Sequence, residues 1–236
     1  MPGAVPSASG GLPDKRRAIS RAARRVFGRE GYARASLDVI AAEANVAKRT
    51  IYNHYAGKEQ LFLSVAIEGA DAVTEAVRVL MERHLRKIVD LEEDLTAFCL
   101  DRAKAVTEFP EHFALVRTIH AEVTRLPDAV LEKWTAHGPP SSHKRLAPYL
   151  QKIADRGLLE FDDAEKAANR LNTLTVNDVL IRSFYGAVPL PEPVVEEIIT
   201  EGVQAFLRLY APPSAAPHAR TASARLSEAP APTSAG

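Results

Sequence analysis

Cysteine is nearly absent from this sequence, which limits the compartment in which the chain can work. Its 236 residues contain one cysteine, Cys99, so no disulfide can form within a chain, as suits a reducing compartment. No apolar run approaches the ~20 residues that a transmembrane helix needs, and residues 1–13 lack the apolar segment of a secretory signal. We therefore expect a cytoplasmic protein without a membrane partner.

Motifs of catalysis and metal binding are also missing. The seven histidines show no H-E-x-x-H spacing, and the chain has no glycine-rich phosphate loop. Ser141, Ser142 and His143 are adjacent, but they lie in a proline-flanked segment without a nucleophile elbow. The sequence therefore predicts a protein that is not an enzyme and has no cofactor or metal. An enzyme and a helical adaptor without DNA binding are the two alternatives.

The interior of the chain lacks the alternating pattern of β-strands, and Ala, Leu, Glu and Arg dominate it. This predicts an all-α protein of about nine helices. The two tails, residues 1–13 and 211–236, consist mostly of Ala, Pro, Ser and Gly, so we expect them to be disordered. The predicted helices span residues 14–30, 36–44, 48–55, 58–86, 91–108, 111–125, 128–137, 142–156, 163–185 and 191–210.

Charge is unevenly distributed, although the whole chain is neutral. Residues 1–60 carry 11 Lys and Arg against 5 Asp and Glu, a net charge of +6. Residues 61–210 carry 17 against 24, a net charge of −7. A basic N-terminal part beside an acidic remainder favours a module that binds a polyanion at the N-terminus.

Residues 36–55, SLDVIAAEANVAKRTIYNHY, contain the spacing of a helix-turn-helix. About four residues, 45–48, separate the two short helices, and Asn45 suits a turn position with positive φ. Ile51 and Tyr55 are four residues apart, so both can face the preceding helices. This predicts a three-helix DNA-binding domain at residues 14–60, followed by a second helical domain at residues 61–210.

The second helix of this motif would present side chains that suit DNA. Arginine can bridge O6 and N7 of guanine, and asparagine can pair with N6 and N7 of adenine. His54 and Lys58 lie just beyond this helix, where they could contact phosphates. The residues expected to face outward on the helix are Lys48, Arg49, Thr50, Tyr52 and Asn53.

The helix-turn-helix, together with the helices before and after it, resembles the TetR family of bacterial repressors over roughly 50 residues. Three positions depart from the family pattern: Asn45 replaces glycine, Ala47 replaces a capping serine worth ~1 kcal/mol, and Tyr55 replaces phenylalanine, a mild change provided that its hydroxyl reaches water. The residues that carry the resemblance are Phe27, Gly31, Tyr32, Ser36, Ile40, Ala41, Thr50, Ile51, Tyr52, His54, Tyr55, Lys58, Glu59 and Leu61.

The resemblance implies a ligand-released repressor that binds a palindromic operator in double-stranded DNA as a homodimer, associated with the nucleoid when bound. It also implies a division of roles among the site residues. Phosphates would be contacted by Ser36, Tyr52, His54 and Lys58. Bases would be faced by Lys48, Arg49, Thr50 and Asn53.

The C-terminal region resembles the AefR-like subset of the family, through IHAEVTRLPD, Trp134 and Gly157-Leu158-Leu159. Residues 163–185 and 191–210 carry more apolar positions than a surface helix needs, and the resemblance implies that they form a four-helix dimer interface. The resemblance thus makes residues 61–210 a helical ligand-binding and dimerisation domain, with an unknown small-molecule effector bound among the helices that precede the dimer interface. Its candidate pocket residues are Phe98, Cys99, Phe109, Phe113, His120 and Trp134.

Overall fold

The computed structural model describes residues 12–137 and 142–212, and it confirms the all-α prediction within them. The predicted disordered tails fall almost entirely outside the described residues, as does Ser141. A 3-10 turn follows α7 at Val123–Arg125. The helices are α1 (Leu12–Arg34), α2 (Leu37–Glu43), α3 (Lys48–Tyr52), α4 (Lys58–His84), α5 (Leu91–Ala103), α6 (Ala105–Glu108), α7 (Pro110–Ala121), α8 (Asp128–His137), α9 (Ser142–Ala154), α10 (Ala164–Leu174), α11 (Val176–Arg182) and α12 (Glu192–Tyr210).

Several helices are shorter than predicted. The helix predicted at residues 91–108 is broken at Lys104, and the one predicted at 163–185 is broken at Thr175 and ends at Arg182. Counting each broken pair as one helix gives ten helices in the described ranges, as many as the helical ranges predicted from the sequence and close to the overall estimate of about nine. α3 ends at Tyr52 rather than at residue 55. The predicted stop at Gly31 is present as a non-helical residue inside α1, with φ of 82°.

The break at Thr175 lies where α12 crosses the chain. Gly202 of α12 sits so close that a Cβ there would overlap the carbonyl oxygen of Leu174. The Thr175 side chain is buried and its hydroxyl donates to the carbonyl oxygen of Leu171 at 2.5 Å. The backbone of α12 therefore packs directly against the end of α10, which only glycine at position 202 permits.

Two hydrophobic cores lie along α4. The first joins α1–α3 and the first half of α4 to α7 and α8, and the ring of Phe27 meets that of Phe62 edge-on at 4.9 Å. The second joins the end of α4 to α5 and α9–α12. The first core thus continues across residues 60 and 61, where we predicted a domain boundary. Within the described ranges, no helix has both the length and the apolar character needed to cross a membrane.

His112 of α7 is buried where α7 meets α4 and α8. Its side chain packs against Gly69 and lies 6.0 Å from the ring of Trp134, and only 3% of the residue is exposed. Nδ1 has no hydrogen-bond partner among the described residues. Burial lowers the pKa of His112 from 6.5 to about 4, because the charged ring would lose its hydration.

His112 should make stability depend on pH. Between pH 6.5 and pH 4 the unfolded chain binds a proton that the folded chain does not, so this contribution is complete at neutral pH and is lost as the pH falls. We expect the free energy of unfolding to fall by about 2 kcal/mol between pH 8 and pH 5 through this residue. Urea denaturation of wild type and His112→Phe at both pH values measures it.

The matched control is His120→Phe, because His120 is also on α7 but is exposed. This variant should keep the wild-type pH dependence, whereas His112→Phe should lose about 2 kcal/mol less on acidification. An equal loss in wild type and His112→Phe would contradict the assignment.

Candidate nucleic-acid interface

The predicted helix-turn-helix is present, and its turn is built as the sequence indicated. Ser36 caps α2: its backbone is extended and its hydroxyl accepts a hydrogen bond from the amide of Val39 at 3.2 Å. Asn45 has φ of 52°, the left-handed conformation expected there. The amide of Val46 donates to the carbonyl of Ala41 at 3.0 Å, which closes the turn before α3.

Buried side chains fix the orientation of α3. Ile51 is fully buried in the first core, and Tyr55 beyond the end of α3 is also buried. The hydroxyl of Tyr55 lies 3.1 Å from Oγ of Ser20 on α1. The polar partner of this hydroxyl is thus a residue of the protein, Ser20, which is itself buried. The tyrosine therefore adds a polar tie between α1 and the end of α3.

The opposite face of α3 is exposed. Arg49, Tyr52 and Asn53 are all exposed, and Thr50 is half-buried. The side chain of Arg49 has no ion pair or hydrogen bond within residues 12–137 and 142–212. An arginine without an intramolecular partner can offer its guanidinium to a guanine at no cost in lost contacts.

Lys48 is also exposed, but it is already paired. Its ammonium donates to Oδ2 of Asp38 on α2 at 2.9 Å, and this hydrogen bond raises the pKa of Lys48. Both side chains are exposed, so the pair contributes little to stability. A base or phosphate could replace Asp38 as the partner of Lys48.

The residues expected to contact phosphates differ in their exposure and in whether they already have a hydrogen-bond partner. Tyr52 is exposed, whereas the hydroxyl of Ser36 already caps α2. His54 is half-buried, and its Nε2 has no hydrogen-bond partner among the residues described. Lys58 is half-buried: its ammonium donates to the carbonyl of Ala33 at 3.0 Å and lies 4.8 Å from the ring centre of Tyr32. Burial lowers the pKa of Lys58.

A basic cleft that sequence reasoning missed lies beside these residues. It has a volume of about 620 Å³ and is lined by four arginines of α1 together with His54 and Glu68. A smaller cavity of about 310 Å³ shares Arg16 and His54 with the cleft and reaches Asn53. The arginines are Arg16, Arg17, Arg21 and Arg24. Their spacing of three and four residues, which places 17, 21 and 24 on one helix face, was the available signal.

α7 is attached to this DNA-binding region by hydrogen bonds. The hydroxyl of Thr118 donates to the carbonyl of Phe27 on α1 at 3.2 Å. Oε2 of Glu122, which follows α7, accepts from the amide of Ala33 at 2.8 Å. The φ of 82° at Gly31 favours glycine there, and a Cβ would also overlap Oε1 of Glu122. The chain after Gly31 is thus held both by Glu122 and by Lys58.

The predicted pocket residues do not surround one cavity. Phe98 and Cys99 are buried in the second core, whereas Phe113 and Trp134 are buried in the first. Phe109 packs partly buried against the first core. His120 is exposed, and its ring stacks on that of Tyr185 at 4.8 Å. Burial raises the pKa of Cys99 to about 11, so its thiol stays protonated at neutral pH.

The helices predicted to form the dimer interface differ in how much of their apolar surface is buried within the protomer. The apolar face of α12 is buried within the protomer against α5 and α10, and its outward residues include Glu196, Glu197 and Glu201. At the end of α11 and in the following turn, three large apolar residues are exposed. They are Ile181 (55% exposed), Phe184 (66%) and Val188 (58%).

Two family models match the chain. Residues 19–65 match the bacterial regulatory proteins of the TetR family, and residues 93–212 match the C-terminal domain of AefR-like transcriptional repressors. The first match covers the helix-turn-helix described above, and the second covers α5 to α12. Both families are transcriptional regulators rather than enzymes.

Individual relatives agree with the family models. An uncharacterised HTH-type transcriptional regulator of Mycobacterium tuberculosis is 25% identical over 75% of this chain and 80% of its own. A TetR-family transcriptional regulator from Mesorhizobium loti has a similar structure, with a TM-score of 0.75 and 25% identity over 86% of this chain and all of that one. The flavonoid-responsive regulator FrrA gives a TM-score of 0.62 and 28% identity over 85% of this chain and 99% of its own.

Proposed function

Because the chain belongs to the TetR family of transcriptional regulators, we propose that it is a ligand-released repressor that binds a palindromic operator as a homodimer. The observation that carries the proposal is the division of α3 into two faces. Ile51 anchors one face in the core, while Arg49 and Asn53 stand exposed on the other. A helix held in this way can enter the major groove and present these side chains to base edges.

The proposed DNA contacts are of two kinds, those to base edges and those to the phosphate backbone. Arg49 and Asn53 are proposed to read bases, assisted by Lys48 and Thr50 at the start of α3. The proposed phosphate contacts come from Tyr52, His54, Ser36 and Lys58, and the basic cleft on α1 extends them. Phosphate contacts fix the register of the protein on DNA, but only base contacts carry sequence information.

To find the operator, the DNA that flanks the gene of this protein is searched for an inverted repeat, which then serves as the test duplex. Two half-sites of a dimeric helix-turn-helix lie one helical turn apart, about 34–36 Å, or a multiple of it. A gel shift should show far tighter binding to this repeat than to a scrambled duplex. If neither duplex binds at low salt, the chain is a helical adaptor and the proposal fails.

The dimer is proposed to form through α10, α11 and α12. Since α12 already buries its apolar face, the end of α11 and the turn with Phe184 should supply the apolar part of the interface. Light scattering should give about twice the chain mass of 25.7 kDa. Phe184→Glu should shift the protein toward the monomer, because a charge buried in an apolar interface is costly.

The control for this substitution is Val89→Glu. Val89 is also an exposed apolar residue, but it lies between α4 and α5. Val89→Glu should remain dimeric. A Phe184→Glu protein that stays dimeric at low micromolar concentration would place the interface elsewhere.

Release by a ligand requires a path from the C-terminal region to the DNA-binding helices. α7 provides one, because Thr118 and Glu122 hold the backbone of α1 at Phe27 and Ala33. A ligand that favours a shifted α7 over the present one would weaken DNA binding by its difference in affinity for the two states. That FrrA is a flavonoid-responsive regulator supports a small-molecule effector here.

A further inference from the structure

A cavity of about 300 Å³ lies between α5 and α6 on one side and α11 and the start of α12 on the other. This volume is at the small end of the range for ligand pockets. It is separate from both sets of predicted pocket aromatics. Its apolar wall consists of Leu100, Ala103, Val106, Val179, Leu190 and Val195.

The mouth of this cavity carries two carboxylates against one ammonium, that of Lys104, whose pKa is raised mainly by its hydrogen bond to Asp101 and in smaller part by the charge of Glu192. Glu192 and Glu196 line it one turn apart on α12, both exposed. Neither has a hydrogen bond or an ion pair in the part of the chain that the structure describes. Glu192 is in the first turn of α12, where it favours the helix, but Glu196 lies beyond that turn.

The other polar groups of the cavity already have partners. The ammonium of Lys104 donates to Oδ1 of Asp101 at 2.7 Å. The hydroxyls of Thr107 and Ser183 donate to carbonyl oxygens of their own segments, at 2.9 and 3.2 Å. A bound molecule therefore meets an apolar wall, the Lys104 ammonium that is already paired with Asp101, and two carboxylates free to accept hydrogen bonds.

One wall of the cavity is a turn in an unfavourable conformation. Phe184 and Tyr185 have φ of 50° and 52°, which bulky residues rarely adopt, and Gly186 follows at 78°. The turn is held from α7: Arg117 donates to the carbonyl of Tyr185 at 2.6 Å. Such strain persists only where the surroundings enforce it, and it is concentrated at ligand sites and switch regions.

We propose that this cavity binds a small cationic amphiphile, with its apolar body against Val106 and Val179 and its protonated amine between Glu192 and Glu196. This inference rests on the proposed function only in identifying the molecule as an effector. The binding itself needs no DNA. Arg117, which holds the turn, lies beside Thr118, so an occupied cavity would adjoin the path from α7 to α1.

The test uses three probes with one apolar body and different heads: 4-phenylbutylamine, 4-phenylbutanol and 4-phenylbutyrate. Each is titrated by calorimetry into the full-length protein without DNA. The amine should bind most tightly and the carboxylate most weakly. Glu196→Gln should weaken amine binding about two- to fivefold, as for a partly exposed ion pair, and leave the alcohol unchanged.

Two further variants distinguish binding in the cavity from nonspecific attraction of the amine to the negative surface of α12. Glu197→Gln removes a neighbouring exposed carboxylate of α12 that does not line the cavity, so it should leave amine binding unchanged. Val195→Trp should fill the cavity and abolish binding of the amine and the alcohol, with helicity checked by circular dichroism.

Three results would overturn the inference: no binding of the amine at millimolar concentration, equal binding of amine and carboxylate, or equal effects of Glu196→Gln and Glu197→Gln. Failure of the proposed function would be seen separately. In that case the amine would bind as expected, while the operator and scrambled duplexes would bind alike.

Discussion

Arg49→Ala is expected to weaken operator binding by about 2–6 kcal/mol per dimer. One bidentate arginine–guanine contact is worth about 1–3 kcal/mol of discrimination, and a dimer makes it twice. Arg49 has no partner in the described structure, so its loss should not disturb the fold. Affinity for a scrambled duplex should fall only by the effect of the lost charge. Fluorescence anisotropy with both duplexes, at several salt concentrations, measures the difference.

Two other variants are compared with Arg49→Ala. Arg78→Ala removes an arginine of α4 that is paired with Glu75 outside the helix-turn-helix, and it should change neither affinity. Lys58→Ala should weaken both duplexes together and lower the salt slope by about one unit per subunit. If Arg49→Ala weakened both duplexes equally, α3 would not lie in the major groove as proposed.

Gly202→Ala should lower the free energy of unfolding by about 3 kcal/mol, the upper end of the range for overpacked sites. The added methyl group would overlap the carbonyl oxygen of Leu174, and a backbone oxygen cannot rotate away as a side chain could. α12 would have to move from α10, and the buried Ile199 and Val203 would move with it. Urea denaturation followed by circular dichroism measures the change.

Gly57→Ala is the matched control. Gly57 precedes α4, its φ of 166° is extended backbone, and a Cβ there would meet nothing within 4 Å. Its effect on stability should be within about 0.5 kcal/mol, as for most surface substitutions. A Gly202→Ala protein as stable as Gly57→Ala would show that α12 does not press against Leu174.

The helix-turn-helix could be predicted from the sequence because its determinants are local. Asn45 is compatible with the turn by its own conformational preference, and Ser36 caps the helix that it precedes. Ile51 and Tyr55 are four residues apart and therefore share a side. Each of these relations spans fewer than ten residues, so neighbouring side chains were enough to indicate it.

The features that sequence reasoning missed depend on distant contacts. The break at Thr175 reflects the approach of Gly202, 27 residues later, and no local signal marks it. Lys58 is held by the carbonyl of Ala33, an acceptor that every residue carries. Aromatic residues such as Phe98 and Phe113 are common to pockets and cores, so composition could not assign them to one cavity.

The core that links α1–α4 to α7 and α8 has a consequence for engineering new regulators. Cutting the chain near residue 60 and grafting the front part onto another protein would leave Phe27 and Ile51 on one fragment and Phe62, Leu115 and Val116 on the other, so that each group loses its core neighbours. Such chimaeras should aggregate. Operator preference would be reprogrammed more safely by exchanging exposed side chains of α3, Arg49 and Asn53 first, because these substitutions leave every buried contact in place.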